Sequence, residues 1–211
     1  MEDDRRMVLT LDRGASWSRF IPGRFCVSLD DRNLVERARA GDDTAFAVLF
    51  EQFHAPILNY LHRMVSDRAL AEDLTQDTFV KAYKALPRTQ PDLQFKAWLY
   101  RIATNTALSH LRRGKIVKFL PFLGDRETND ERVDRTVTRQ TDIESVLNQL
   151  PKHYAAVLLL RHYQGLSLAE TAEALEITEN AAKLRLFRAR KAFAKIYGVA
   201  PDGTVDEEAR S

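Results

Sequence analysis

The stretch Leu166 to Tyr197, LSLAETAEALEITENAAKLRLFRARKAFAKIY, constrains this chain more than any other. Ser167 with Glu170 three residues on forms a capping box, in which each side chain satisfies one orphan backbone N–H of a helix start. Leu168, Ala172 and Leu175 follow at i, i+4, i+7 and share one helical face. Glu176-Ile177-Thr178 interrupts that face with an apolar plug, Ile177, and a second N-cap, Thr178. Ala182, Leu186, Ala189 and Phe193 then mark a second amphipathic helix. From Asn180 to Pro201 there is no acid, while Lys183, Arg185, Arg188, Arg190, Lys191 and Lys195 are basic. Short capped helix, tight turn and long cationic helix predict a helix-turn-helix whose second helix lies in a DNA major groove. A solvated helical hairpin would carry basic residues too, but ordinary surfaces mix signs. Here four acids (Glu170, Glu173, Glu176, Glu179) precede the second helix's body and none follows. Glu176 occupies a turn position suited to glycine; a left-handed backbone there costs a side chain about 1 kcal/mol.

Composition removes several function classes. The formal charge of the 211 residues is only +2, so the distribution of charge, not its sum, points to partners. One cysteine, Cys26, excludes an internal disulfide and a cysteine zinc site, and suits a reducing cytosol. The five histidines show no metal-ligand spacing, and no apolar run approaches the ~20 residues of a membrane helix. The start MEDDRR is no secretory signal. There is no glycine-rich phosphate loop and no GxSxG, so neither catalysis nor a cofactor, metal or small-molecule substrate is expected.

The expected fold is all-α: two small helical domains joined by a flexible linker, the second containing the helix-turn-helix. Residues 1–29 offer little apolar area and read as a flexible extension. The first domain, 30–114, opens with a short helix from Asp31 to Ala40, ended by Gly41. A longer helix follows, capped by Asp42 or Asp43, with Phe46, Leu49, Phe50, Phe53, Ile57, Tyr60, Leu61 and Met64 in helical period. Pro56 inside it predicts a kink or brief break. The next helix, Asp67 to Leu86, turns Leu70, Leu74, Phe79, Ala82 and Tyr83 inward. Glu72, Asp73, Gln76 and Asp77 form a polar, mostly acidic patch on another face, either its wet side or a docking surface for a basic partner. Pro87 and Pro91 bracket a short loop.

Phe95 to Arg113, FKAWLYRIATNTALSHLRR, is the other helix of interest. From Leu93 through Gly124 there is no acid. Lys96, Arg101, Arg112 and Arg113 interleave with Phe95, Trp98, Tyr100 and the amide of Asn105. That mixture fits single-stranded nucleic acid, where each base stacked on an aromatic is worth ~1–3 kcal/mol and cations hold phosphates. Trp98 fits a plain core equally well. Residues 115–140 open with an apolar island, IVKFLPFL, and continue as a charged linker. The second domain, 141–198, has a helix face of Ile143, Val146, Leu147 and Leu150, then a helix opened by Pro151, filled by AAVLLL and ended by Gly165. Residues 199–211 form an acidic tail.

Taken together, these segments resemble the bacterial RNA polymerase sigma factors of the extracytoplasmic-function group over about Leu34 to Tyr197. AEDLTQDTFVKAYKAL, FKAWLYRIATNTALSHLRR and LSLAETAEALEITENAAKLRLFRARKAF occur in that order at family-like separations. The resemblance implies partners: RNA polymerase core (clamp helices and flap), promoter DNA and an anti-sigma protein. It implies that Glu72, Asp73, Gln76 and Asp77 dock on core polymerase. It gives Lys96, Trp98, Tyr100, Arg101, Asn105, Arg112 and Arg113 to the melted minus-ten strand, with Pro87 to Leu93 capturing a flipped base. It gives Asn180, Lys183, Leu184, Arg185, Phe187 and Arg188 to the minus-thirty-five duplex. This sequence departs from the family at Ser109, where Asp is usual, at Leu184, where a small polar residue is usual, and at Glu176, which replaces the turn glycine. Leu184 beside Phe187 predicts apolar contact with thymine methyls or sugars. The competing expectation is a helix-turn-helix regulator whose N-terminal helices sense a ligand or dimerise; it leaves the acid-free segment Leu93 to Gly124 without a purpose. An enzyme finds no catalytic constellation.

Overall fold

The computed structural model describes residues 29–118 and 142–197. Expectations for the remainder, including Cys26, most of the apolar island and the acidic tail, lie outside the described residues. The described residues contain no strand. Among them, four α-helices form the first module: α1 (Leu29–Arg39), α2 (Asp43–Val65), α3 (Arg68–Ala85) and α4 (Phe95–Lys118). Four more form the second: α5 (Asp142–Gln149), α6 (Lys152–Leu158), α7 (Leu168–Ala174) and α8 (Glu179–Tyr197).

Local chemistry sets the boundaries. Asp42 caps α2 by accepting from Thr44 N (3.0 Å) and Ala45 N (3.1 Å). Those backbone bonds, with Arg37 beside them, lower its carboxyl pKa. Asp67 caps α3 through Leu70 N at 3.0 Å. Gly41 (φ 96) and Gly165 (φ 67) take the left-handed backbone that ends α1 and the segment after α6. The predicted break at Pro56 does not occur: α2 runs through it. One ladder bond is missing there, but Phe53, Ile57, Tyr60 and Leu61 are buried on either side and hold the helix together through the gap. α4 also runs past the expected boundary to Lys118, taking in the first residues of the apolar island.

The core of the first module is Leu49, Phe53, Ile57, Tyr60, Leu61 and Met64 of α2 against Leu74, Phe79 and Ala82 of α3 and Leu99, Ala103 and Ala107 of α4. Two residues expected inside are exposed. Phe50 sits edge-on to Phe79 at 4.7 Å, and Tyr83 sits edge-on to Phe46 at 5.0 Å while donating to Asp43 Oδ1 at 2.8 Å. In the second module Ala155 to Leu160 are all buried. The helix α6 loosens into a π turn at Leu159–Tyr163, so Gln164 N bonds back to Leu159 O.

The two modules pack on one another: α4 meets α7, and α2 meets α5 and α6. Their buried apolar residues join in one cluster that spans both. An ion pair, Arg63 Nη1 to Glu144 Oε1 at 3.0 Å, lies at the rim, with the Arg63 guanidinium 4.4 Å over the Tyr163 ring. Ser66 adds a hydrogen bond to Asn148. An exposed pair of this kind contributes about 0–1 kcal/mol, so the shared apolar cluster does more to hold the modules together.

Two outcomes follow for solution measurements. Leu160→Ala removes a fully buried side chain and is expected to cost about 2–5 kcal/mol in chemical denaturation, against about 1 kcal/mol for Ser167→Ala, which removes only a cap. The second concerns His162, whose Nε2 lies 3.1 Å from Arg190 Nη2. Burial, then Arg190, then Arg161 push its pKa down from 6.5 to about 4. The unfolded chain therefore binds this proton more readily, so stability is lost as pH falls from about 6.5 to about 4. Melting temperatures across that window are expected to drop, and His162→Gln to flatten the drop.

Candidate nucleic-acid interface

The helix-turn-helix forms as its sequence dictates. Ser167 Oγ accepts from Glu170 N at 3.1 Å and Glu170 Oε2 accepts from Ser167 N at 2.7 Å, completing the capping box. After α7 the chain reverses through a Schellman turn, with Ile177 N bonded to Ala172 O at 3.0 Å and Glu176 N to Glu173 O at 3.1 Å. Glu176 is the left-handed residue of that turn, at φ 53, a conformation that glycine takes without cost. Thr178 Oγ1 accepts from Ala181 N at 3.2 Å and starts α8.

Ala182, Leu186 and Ala189 pin α8 to its module. Asn180, Lys183, Leu184, Phe187 and Arg188 are all exposed, and Arg185 is half-buried. Leu184 and Phe187 are 49% and 56% exposed, an unusual degree for two large apolar side chains on one face. Lys191 Nζ lies 4.9 Å from the Phe187 ring. This face is cationic and apolar at once, and it is open to solvent.

The predicted acidic patch on α3 is also open. Glu72, Asp73, Gln76 and Asp77 are all exposed, and Glu72 accepts from Arg68 Nε at 3.0 Å. Val80 (51% exposed) continues the same face one turn on, an apolar neighbour that the charge pattern alone did not suggest.

α4 is divided. Trp98 and Tyr100, expected to form an aromatic wall, are 4% and 0% exposed. Trp98 packs on Phe95 (5.7 Å), and Tyr100 sits edge-on to Tyr60 (5.3 Å). Burial raises the Tyr100 phenol pKa well above its ordinary value. Lys96 is 7% exposed, its Nζ donating to Gln164 O at 3.0 Å. Thus three residues that the resemblance assigns to the strand face protein: Lys96 and Tyr100 because Gln164 of the second module meets them there, and Trp98 as the plain core residue that its sequence context equally allowed. The other expected residues of α4 differ. Asn105, Arg112 and Arg113 are exposed and Arg101 is half-buried. Asn105, Ser109 and Arg113 join Lys81 of α3 along a shallow groove of about 310 Å³, where Lys81 Nζ donates to Thr106 Oγ1 at 3.0 Å. Asn105 Nδ2 in turn donates to Glu176 Oε2 at 3.0 Å, across the modules.

The loop after α3 tightens into a 3₁₀ turn at Leu86–Arg88, closed by Thr89 Oγ1 donating to Leu86 O at 2.7 Å. Arg39 Nη1 reaches Thr89 O at 3.4 Å, and Asp92 is left-handed at φ 60. Sequence reasoning missed Lys81 and Gln164. Lys81 lies one turn beyond Asp77, on a helix whose apolar side and acidic patch carry its sequence signal. Gln164 has no periodic or motif signal, since its partners lie 64 to 108 residues away. Among the described residues no cluster of side chains could hold a metal ion, and no helix is long and apolar enough to cross a membrane.

Two family models match the chain, one to each module: Sigma-70 region 2 over residues 49–116 and Sigma-70, region 4 over residues 140–193. The RNA polymerase sigma-H factor of Pseudomonas aeruginosa is 36% identical over 180 residues, 78% of this chain and 92% of that protein. The ECF RNA polymerase sigma-E factor of Salmonella typhimurium is 30% identical, covering 78% of this chain and 92% of that protein. Among solved structures, CnrH in complex with the cytosolic domain of CnrY superposes with a TM-score of 0.61 at 26% identity, covering 79% of this chain and 96% of that one.

Proposed function

The chain belongs to the extracytoplasmic-function RNA polymerase sigma factors, and we propose that its two modules divide promoter recognition between melted strand and intact duplex. As a sigma factor it binds RNA polymerase core and directs promoter recognition, DNA opening and initiation. The match of the N-terminal helices to region 2 replaces the alternative of a sensing or dimerisation domain. Bond chemistry is left to the polymerase, and the work is done in the cytoplasm.

The observation that carries this division is the bare face of α8. Lys183 and Arg188 can neutralise phosphates, which supplies most of the affinity, while Asn180 can read a base edge. Leu184 and Phe187 match thymine methyls or sugars better than polar base edges. α4 serves the open strand through the groove at Asn105. There Asn105 and Ser109 offer hydrogen bonds to an unstacked base, while Lys81, Arg112 and Arg113 hold the backbone. Trp98 and Tyr100 fit a supporting role, bracing α4 from behind, rather than stacking on bases. Asp73, Gln76 and Asp77, with Glu72 and Val80, form the face offered to core polymerase: a charged rim beside an apolar centre. The structure of CnrH in complex with the cytosolic domain of CnrY supports a further protein partner for this chain, for which the family resemblance offers an anti-sigma protein.

Run-off transcription with core polymerase on a randomised promoter library tests this reading; a chain that leaves core polymerase inactive on every sequence would end it. Asp73→Ala with Gln76→Ala is expected to weaken binding to core polymerase at least tenfold by fluorescence anisotropy, with an unchanged melting curve. Arg112→Ala and Arg113→Ala are each expected to reduce the slope of log affinity against log salt by about 0.7 for single-stranded DNA. Phe187→Ala is expected to weaken duplex binding and leave that slope in place.

A further inference from the structure

One face of α8 sets side by side what an ordinary surface keeps apart. Asn180, Lys183, Leu184, Phe187, Arg188 and Lys191 are all exposed, while Ala182, Leu186 and Ala189 on the opposite side are buried. At about 3.6 residues per turn, Lys183 and Arg188 fall at the two edges of the open face, with Leu184 and Phe187 between them. Leu184 is 49% exposed and Phe187 56%. Lys191 Nζ stands 4.9 Å from the Phe187 ring and restrains it. Leu184 is nearer the start of α8, the end of a recognition helix that meets base edges.

A leucine in that place makes a narrow chemical demand. Every base pair offers hydrogen-bond donors or acceptors in the major groove, and thymine alone among the four bases adds a methyl, on C5. Leucine bonds to none of the polar edges. Pressed against one, it strips away water and gives nothing back. A C5 methyl is the feature it fits. The small polar residue usual in the family at this position makes no such demand.

We propose that Leu184 makes duplex recognition by this chain depend on a pyrimidine C5 methyl at one base pair, so that thymine or 5-methylcytosine is accepted there and unmethylated cytosine is not. Cytosine methylation of a promoter then becomes an input to its recognition. The methyl of 5-methylcytosine occupies the same place in the groove as that of thymine. Leu184 has no polar atom with which to tell the exocyclic oxygen of one base from the amine of the other. The flanking cations Lys183 and Arg188 hold phosphates whatever the sequence, so they supply affinity without weakening the choice. This specificity rests on α8 being the duplex reader.

The test uses the full chain reconstituted with core polymerase. Promoters are selected by run-off transcription from a pool randomised in the upstream duplex element. Each thymine of the selected element is then replaced singly by uracil, which removes the methyl and leaves pairing and polar edges as they were. At one position the affinity of the holoenzyme is expected to fall about fourfold, the effect of one buried methyl group. Cytosine at that position should bind at least as weakly, and its C5-methylated form should recover most of the loss. Leu184→Ser is expected to keep the parent's melting curve, because the side chain it replaces is half in water. It should also lose the response to uracil and to cytosine methylation. A selected element that is indifferent to uracil throughout overturns the methyl dependence and leaves α8 standing as duplex reader. A response to uracil that survives Leu184→Ser overturns the assignment to Leu184. A pool in which no upstream sequence is preferred overturns the reading of α8 itself.

Discussion

The arrangement of the two modules depends on one glutamine. Gln164 accepts from Tyr100 OH through its side-chain oxygen and from Lys96 through its main-chain carbonyl, while its Nε2 donates to Pro56 O at 3.4 Å. The carbonyl of Pro56 can only accept, so the nitrogen must face it and the oxygen must face the tyrosine. Gln164 thereby meets three groups of the first module, of which the Tyr100 hydroxyl belongs to the most deeply buried side chain. Leaving that hydroxyl unpaired would cost about 1–3 kcal/mol. The π turn at Leu159–Tyr163 puts Gln164 in position, since a regular helical turn would swing it away.

Around that point the interface is graded from dry to wet. Tyr60 and Tyr100 lie beneath it, with Tyr60 OH and Thr104 Oγ1 2.7 Å apart, so that the phenol under the interface has its own partner. At the edge lie Arg63, Glu144, Ser66 and Asn148, which carry charge and amide in reach of water. An inner zone of satisfied polar groups specifies one docking geometry, because a shifted one would strand them. An outer zone of weak pairs lets that geometry be left. This is a different design from the interior of each module, where burial of Leu49, Ile57, Leu61, Val157 and Leu160 is complete.

How much of this could be read beforehand varies by element. The capping box at Ser167, the plug at Ile177 and the buried stripe of α8 were legible because each is a relation among residues within a few positions. The left-handed turn at Glu176 was legible for the same reason. Pro56 produces no break because the packing on both its flanks outweighs a proline's local cost. Phe50 and Tyr83 misled because a helical period marks an apolar side, and the width of the side that finds a partner is set by neighbouring helices. Tyr100 and Lys96 are covered although their mixture with cations suits a surface, because composition is blind to which part of α4 meets the second module; Trp98 is in the core, one of the two places its sequence context allows.

The sequence by itself determined the helices, their caps, the helix-turn-helix and the two acid-free segments, since hydrogen bonds and side-chain faces in helices repeat over three to four residues. Tertiary structure alone decided which residues of those segments are open, as Arg112 and Arg113 are, and which are covered, as Lys96 and Tyr100 are. That choice hangs on pairs such as Tyr100 with Gln164 and Asn105 with Glu176, 64 and 71 residues apart. No short-range pattern encodes a contact of that span; it exists only once both modules have folded and met.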